Sequence, residues 1–265
     1  MWSTAAALIF LLALIVAPPI AVYWGLAPSP MSLVQRILWG LAYLLVKLRW
    51  RTKWEGELPV EEGRGAVIVC NHRSSVDPFF VQTVTGRKIH WMVAREYCEH
   101  PALRWFLRTC EVIPVGRGGI DTAATKTALR IVESGGLVGM FPEGRINMTD
   151  GLLLPIRPGA AHIALKGGVP LVPCYIEGSP YERVPWSPLL MTARVVVRFG
   201  QPIECRTEPD GDVESECAAA VMRHWAVSIA RLAGQPNVAV EFAGRQWKPT
   251  EEELAEAISG RRASA

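Results

Sequence analysis

The sequence predicts an α/β fold in which a largely parallel central sheet is flanked by helices, with an N-terminal membrane-anchoring helical segment ahead of it. The sheet is predicted because, from Gly65 onward, short apolar runs rich in β-branched residues alternate with longer segments of helical character. This alternation is typical of parallel strands joined by crossover helices. The membrane segment is predicted because Ala5 to Leu26 is almost wholly apolar, and about 20 such residues span a bilayer.

The length and composition indicate one catalytic-sized domain behind the membrane segment. We divide the 265 residues into membrane-anchoring and interfacial helices at 1–54, a catalytic domain at 55–235 and a tail at 236–265. The net charge of +3 is too small to predict a nucleic-acid partner. The 6 cysteines show no Cys-x-x-Cys spacing, which indicates buried reduced thiols rather than metal ligands or a disulfide framework.

The N-terminal apolar stretch has two interpretations. A cleaved signal peptide begins with a positively charged region, but no charged side chain precedes Arg36, so we expect a retained anchor. Pro18 and Pro19 interrupt the stretch. A kinked segment that lies partly in the membrane interface is therefore as compatible with the sequence as a straight span.

A second apolar segment, residues 37–46, is followed by basic residues with two tryptophans among them: Lys47, Arg49, Trp50, Arg51, Lys53 and Trp54. Tryptophan beside basic residues is typical of the cytoplasmic membrane interface. An ordinary core helix with a solvated basic end is the alternative. Together the two segments predict a catalytic domain on the cytoplasmic face of a membrane, with membrane lipids as partners.

The predicted strands, in chain order, are residues 66–70, 89–94, 111–115, 137–141, 170–176 and 193–199. The predicted helices are residues 76–85, 101–109, 121–134, 158–167 and 214–233, followed by a short acidic helix from Thr250. Asp121 and Thr122 supply N-cap chemistry to the third helix, and Gly135 and Gly136 end it.

Polar side chains follow the first predicted strand in the sequence NHRSSVDP, residues 71–78. Ligands of open α/β sheets bind beyond the carboxyl ends of the strands, where His72 lies. A histidine there can act as a general base if an acceptor holds its other ring nitrogen. We expect Asp77 to be that acceptor. Alternatively, Asp77 caps the next helix and His72 bonds a backbone carbonyl.

Two further strand ends carry an arginine. In FPEGR, Gly144 lets the backbone approach a ligand, and Arg145 offers a planar guanidinium suited to phosphate. In EVIPVGR, a short strand delivers Arg117 to the same sheet edge. A structural ion pair between Glu143 and Arg145, and a solvated Arg117, are the alternatives.

These motifs resemble, in order, the four motifs of the glycerolipid acyltransferases typified by 1-acyl-glycerol-3-phosphate acyltransferase. NHRSSVDP is similar to the first motif, Asn-His-x4-Asp, EVIPVGR to the second, FPEGR to the third and VPLVPC to the fourth. The resemblance implies that His72 and Asp77 are catalytic and that the substrate-binding residues are Asn71, Arg117, Glu143, Gly144, Arg145 and Pro173. It implies no metal and no cofactor, with acyl-CoA or acyl-carrier protein as the donor substrate and a lysophospholipid as acceptor.

The third motif departs from the common family pattern. Many members have Glu-Gly-Thr-Arg-Ser, whereas Arg145 here follows Gly144 directly. This form resembles enzymes that re-acylate lysophosphatidylethanolamine. We therefore expect 1-acyl-glycerol-3-phosphate as the acceptor and keep another lysophospholipid as the alternative.

Other functions remain as alternatives. A hydrolase could use Ser74, Ser75 or Cys70 as nucleophile, although no Gly-x-Ser-x-Gly elbow surrounds the serines. A non-catalytic membrane lipid-binding protein is a second alternative. A metal site is disfavoured, because a single histidine, His72, with two carboxylates is a poor transition-metal donor set.

Overall fold

The computed structural model describes residues 31–116, 121–182, 184, 186–205, 215–236 and 240–244. Three predictions lie outside these residues: the apolar stretch from Ala5 to Leu26, the position of Arg117 and the acidic helix from Thr250. Within the described ranges, every helix is too short or too polar to cross a membrane.

A seven-stranded sheet forms the centre of the described chain. Its strands are β1 Lys53–Glu55, β2 Ala66–Cys70, β3 Ile89–Ala94, β4 Ile113–Val115, β5 Leu137–Met140, β6 Leu171–Glu177 and β7 Val196–Phe199. The spatial order is β1-β7-β6-β2-β5-β3-β4. Five of the neighbouring pairs are parallel, and β6 and β7 are antiparallel. The predicted largely parallel sheet is confirmed.

The helices are α1 Leu33–Leu44, α2 Asp77–Gln82, α3 Arg95–Glu99, α4 Pro101–Thr109, α5 Thr122–Glu133, α6 Gly159–Lys166 and α7 Ser215–Leu232. A π-helical turn, Leu45–Arg49, continues α1, and a 3-10 helix spans Ser187–Leu190. As predicted, the Asp121 side chain caps α5 by accepting the backbone N–H of Ala124.

Side chains of the central strand β2 alternate between two apolar cores on opposite faces of the sheet. Val67 and Val69 pack in the core covered by α5, α6 and α7. Ile68 packs with Phe80 of α2 and with Trp50. Because both faces of β2 are covered, all five of its residues are buried and apolar.

The two tryptophans of the basic segment after α1 pack into the protein instead of forming the predicted membrane-interface pair. Trp50 is fully buried, and its indole Nε1 donates to the carbonyl of Pro188. The Trp54 indole donates to the carbonyl of Phe80, and the Lys47 ammonium lies 3.8 Å from the centroid of the Trp54 ring. β1 crosses the predicted boundary between residues 54 and 55. The segment that ends in β1 therefore belongs structurally with the sheet.

All six cysteines are free thiols. Cys70, Cys98, Cys174 and Cys205 are buried as predicted, Cys110 is half-buried, and Cys217 is exposed on α7. The expectation of burial is therefore wrong for Cys217.

Candidate active site

The first motif forms the turn that leaves the carboxyl end of β2 and enters α2. Asn71 directs this turn by extending the strand ladder with its side chain. Its Nδ2 donates to the carbonyl of Ile176 at 2.9 Å, and its Oδ1 accepts the Ile176 N–H at 2.8 Å. The carboxamide thus takes the place of one more peptide group beside β6 and fixes where the next residue, His72, begins.

His72 and Asp77 are in direct contact. The Nδ1 of His72 lies 3.0 Å from Oδ2 of Asp77, and the same oxygen accepts the backbone N–H groups of Arg73 at 2.6 Å and Ser74 at 2.7 Å. Asp77 is 0% exposed, and these donors offset the cost of burying a carboxylate. Since the side chain makes no capping bond to α2, the alternative role as a helix cap is not observed.

The His72 ring is held flat and partly accessible. It stacks on Phe141, with ring centroids 4.0 Å apart and planes at 17°, and Trp91 stacks on Phe141 in turn. The side chain is 16% exposed, and no hydrogen bond occupies Nε2 within the described residues. With Nδ1–H donated to Asp77, Nε2 carries the lone pair that can accept a proton.

Glu143, in the third motif, supports this turn from inside the protein. It is 1% exposed. Its Oε1 accepts the His72 N–H at 2.7 Å and its Oε2 accepts the Leu154 N–H at 2.9 Å. Burial raises the pKa of Glu143 to about 8, against the two backbone donors, which lower it. The carboxyl group therefore links the third motif to the first without facing a ligand.

Arg73 fastens the loop that follows the third motif, a role for which the sequence offers no signal. Its guanidinium donates to the carbonyls of Thr149 and Gly151, both at 2.6 Å. In the same loop, the Asn147 N–H donates to the carbonyl of His72 at 2.7 Å. The loop is thus folded onto the first motif.

Gly144 and Arg145 form the accessible part of the third motif. Gly144 is exposed with φ +69°, a left-handed conformation that favours glycine, and Arg145 beside it is half-buried. Arg157, which sequence reasoning missed, packs here, with Nε 3.9 Å from where a Cβ on Gly144 would lie. That Nε is buried and has no hydrogen-bond partner among the described residues.

Three residues predicted to bind substrate are buried. Asn71 and Glu143 are each 1% exposed with both polar atoms engaged, and Pro173 is buried within β6, beside Val69 of β2. In this structure these side chains shape and support the site, and their role in substrate binding stays a prediction. The sequence motif does not reveal the burial of Asn71 and Glu143, because polar residues after a strand can be structural as well as functional.

Two of the three nucleophiles of the alternative hydrolase, Ser74 and Cys70, are unsuited to attack. Ser74 is fully buried and its hydroxyl donates to the carbonyl of Pro180 at 2.5 Å. Cys70 is fully buried, and burial raises the pKa of its thiol, which disfavours the reactive thiolate. The geometry therefore leaves an accessible imidazole nitrogen, Nε2 of His72, whereas neither Ser74 nor Cys70 offers a suitable nucleophile.

Comparisons with known proteins agree with the motifs. The family described as Acyltransferase matches residues 51–177. A 1-acyl-sn-glycerol-3-phosphate acyltransferase from Bacillus subtilis is 29% identical over 136 residues, 51% of this chain and 67% of that protein. One from Limnanthes douglasii is 31% identical over 117 residues, 43% of this chain and 41% of that protein.

A solved structure supports the fold. The crystal structure of the 1-acyl-sn-glycerophosphate acyltransferase from Thermotoga maritima matches with a TM-score of 0.52 and 22% identity. The match covers 69% of this chain and 72% of that one. With the ordered motifs and the curated relatives, we conclude that residues 51–177 form an acyltransferase domain similar to that of the 1-acyl-sn-glycerol-3-phosphate acyltransferases, and that the protein is an O-acyltransferase.

Proposed function

We propose that the protein transfers a fatty acyl chain from acyl-CoA or acyl-carrier protein to the free hydroxyl of a membrane lysophospholipid, with 1-acyl-glycerol-3-phosphate as the acceptor. The observation that carries the proposal is the hydrogen bonding of the His72 ring. Its Nδ1 is held 3.0 Å from the buried Asp77 carboxylate, while its Nε2 has no hydrogen-bond partner among the described residues. The names of the curated relatives support this acceptor.

The reaction proceeds by direct attack. Nε2 of His72 removes the acceptor's hydroxyl proton while the hydroxyl oxygen attacks the thioester carbonyl, and Asp77 stabilises the imidazolium that forms. Collapse of the tetrahedral intermediate breaks the carbon–sulfur bond, and the departing thiolate takes up the proton. A positioned general base typically contributes about 10² to 10⁴ in rate.

The acceptor phosphate binds at the turn around Gly144. Arg145 follows this residue in the chain and Arg157 packs against it, so two arginines lie beside an exposed backbone. Guanidinium forks pair with phosphate oxygens through charge-assisted hydrogen bonds. Arg117, outside the described residues, stays a predicted third phosphate ligand.

Lysophosphatidylethanolamine is a second candidate acceptor, because Arg145 follows Gly144 without the intervening threonine that many members have. A head-group panel distinguishes the two. Purified wild-type protein in detergent is given labelled palmitoyl-CoA with 1-oleoyl-glycerol 3-phosphate or 1-oleoyl-glycerophosphoethanolamine. We expect labelled diacyl product mainly from the first. Product mainly from the second would assign the other acceptor, and no product from either, with CoA or carrier-protein donors, would contradict acyl transfer to these lysophospholipids.

The protein acts at a membrane surface through α1. Trp39 and, in the π-helical turn, Val46 are buried on its inner side. Its outer side exposes an apolar stripe at helical spacing, formed by Leu33, Ile37, Leu41, Leu44 and Leu48, each between 50% and 73% exposed. Exposed Lys47, Arg51 and Lys53 follow directly. A stripe of this kind beside basic residues suits insertion into an anionic cytoplasmic leaflet.

A further inference from the structure

The second carboxylate oxygen of Asp77 has its own partner, which no sequence motif identifies. Oδ2 accepts hydrogen bonds from Nδ1–H of His72 and from the backbone N–H groups of Arg73 and Ser74, as described above. Oδ1 accepts the hydroxyl of Ser179 at 2.6 Å, and no other donor reaches Oδ1 among the described residues. Ser179 is 102 positions from Asp77 in the chain and lies in the loop after β6.

The loop around Ser179 is fastened to the first motif on both sides. Before it, Ile176 is paired with the Asn71 carboxamide. After it, the carbonyl of Pro180 accepts the Ser74 hydroxyl. Between these anchors, Gly178 has φ +74°, and a Cβ there would lie 2.3 Å from the carbonyl oxygen of Arg194. The backbone path that delivers Ser179 to the carboxylate therefore requires glycine at 178.

A carboxylate held through one oxygen alone can still rotate about its Cβ–Cγ bond and tilt away from its partner. The Ser179 hydroxyl holds the opposite oxygen, so the plane of the group is fixed with Oδ2 on Nδ1 of His72. The hydroxyl donates a hydrogen bond to Asp77, and Ser179 needs no contact with a reacting atom for this role. Removing it leaves a buried acceptor without a donor.

We propose that Ser179 is a positioning residue for the acyl transfer, completing a Ser179–Asp77–His72 hydrogen-bonded chain that fixes the orientation of the histidine base. The inference rests on the proposed function, because its effect is exerted through His72. It adds Ser179, from the loop after β6, to the pair formed by His72 and Asp77.

Kinetic variants test this chain. Ser179→Ala should lower kcat about tenfold or more while the acceptor KM changes by less than about twofold, because the contact acts on the base and not on binding. Ser179→Thr, which keeps the hydroxyl, should recover most of the rate. In a His72→Ala background, Ser179→Ala should cause no further loss, since effects through one shared group do not add.

Ser187→Ala is the matched control. Ser187 is a buried serine in the same region after β6. Its Oγ accepts the Glu182 N–H and donates to the Val184 carbonyl, both at 2.8 Å, and among the described residues it makes no hydrogen bond to Asp77. We expect this variant to lose thermal stability and keep the wild-type kcat. An equal fall in kcat for Ser187→Ala and Ser179→Ala, or a further loss in the His72→Ala background, would overturn the proposal.

A spectroscopic measurement separates this inference from the proposed function. The Nδ1–H proton of His72 is identified in the ¹H NMR spectrum as the downfield resonance that His72→Ala removes. We expect Ser179→Ala to shift it and Ser187→Ala to leave it in place. An unshifted resonance would overturn the positioning role even in a protein that transfers no acyl group, whereas a shift in an inactive protein would fault the proposed substrates alone.

Discussion

The carboxyl group of Glu143 accepts the backbone N–H of His72 at 2.7 Å, so the third motif holds the first from inside the protein. The same side chain accepts the Leu154 N–H at 2.9 Å. The two oxygens of this buried group thereby join the first motif to the segment that contains Leu154. These contacts are structural, so the titration of Glu143 should appear in the stability of the fold.

Glu143→Gln should flatten the dependence of stability on pH. Burial raises the pKa of Glu143 from 4.5 to about 8, so between these values the folded protein binds more protons than the unfolded chain. The wild-type free energy of unfolding should therefore fall as pH rises through this window, by up to about 1.4 kcal/mol per pH unit. The variant loses this contribution because it does not titrate.

Urea unfolding followed by tryptophan fluorescence at several pH values from about 5 to 8 measures this slope. Exposed Glu133→Gln on α5 is the control and should keep the wild-type slope. An equal slope in Glu143→Gln and wild type would show that Glu143 is not the group that titrates in this window.

Arg145→Ala and Arg157→Ala should each raise the acceptor KM by about tenfold or more, with a smaller effect on kcat, because a lost phosphate contact weakens binding of ground state and transition state alike. The KM of the acyl donor should change little. Initial rates at varied acceptor and donor concentrations test this, with the exposed Arg130→Ala on α5 as control. A fall in kcat at constant acceptor KM would instead assign these arginines to the transition state.

A double variant, Leu41→Ser with Leu44→Ser, should reduce binding to membranes. Both side chains are more than half exposed, so the change should leave the melting temperature nearly unchanged. Each lost leucine contact with lipid should weaken binding about tenfold or more, given a transfer free energy of about 1.5 to 3 kcal/mol per buried side chain.

Sedimentation of the full chain with vesicles of phosphatidylcholine and phosphatidylglycerol measures this binding. Val227→Ser is the control, because Val227 is an apolar side chain that is 39% exposed on another helix, α7. If the double variant sediments with vesicles to the same extent as wild type, the proposed role of the α1 stripe is contradicted. Membrane attachment would then belong to another segment.

The central strands could be predicted from the sequence because burial on both faces makes them apolar and β-branched. β2 was predicted with its observed bounds. Strand β1 was missed, since it is a three-residue edge strand with exposed ends. The strand predicted to begin at residue 111 begins at Ile113, because Glu111 has φ +53°, a left-handed conformation that a strand excludes.

The candidate site was predictable where its parts are close in sequence. His72 and Asp77 are five residues apart, so one turn brings them together. Ser179 and Arg157 reach the site through the tertiary fold, and no local pattern marks them. Trp50 was misassigned because composition alone does not distinguish a tryptophan at a membrane interface from one whose indole has a buried carbonyl partner.

The most direct test of the account is the rate of acyl transfer by His72→Ala. The enzyme in detergent receives labelled palmitoyl-CoA and 1-oleoyl-glycerol 3-phosphate, and the initial rate of diacyl product is compared with that of wild type and of His224→Ala, an exposed histidine on α7. We predict that His72→Ala loses about 10² to 10⁴ in kcat while His224→Ala keeps the wild-type rate. A His72→Ala rate equal to wild type would contradict the assignment of His72 as the base.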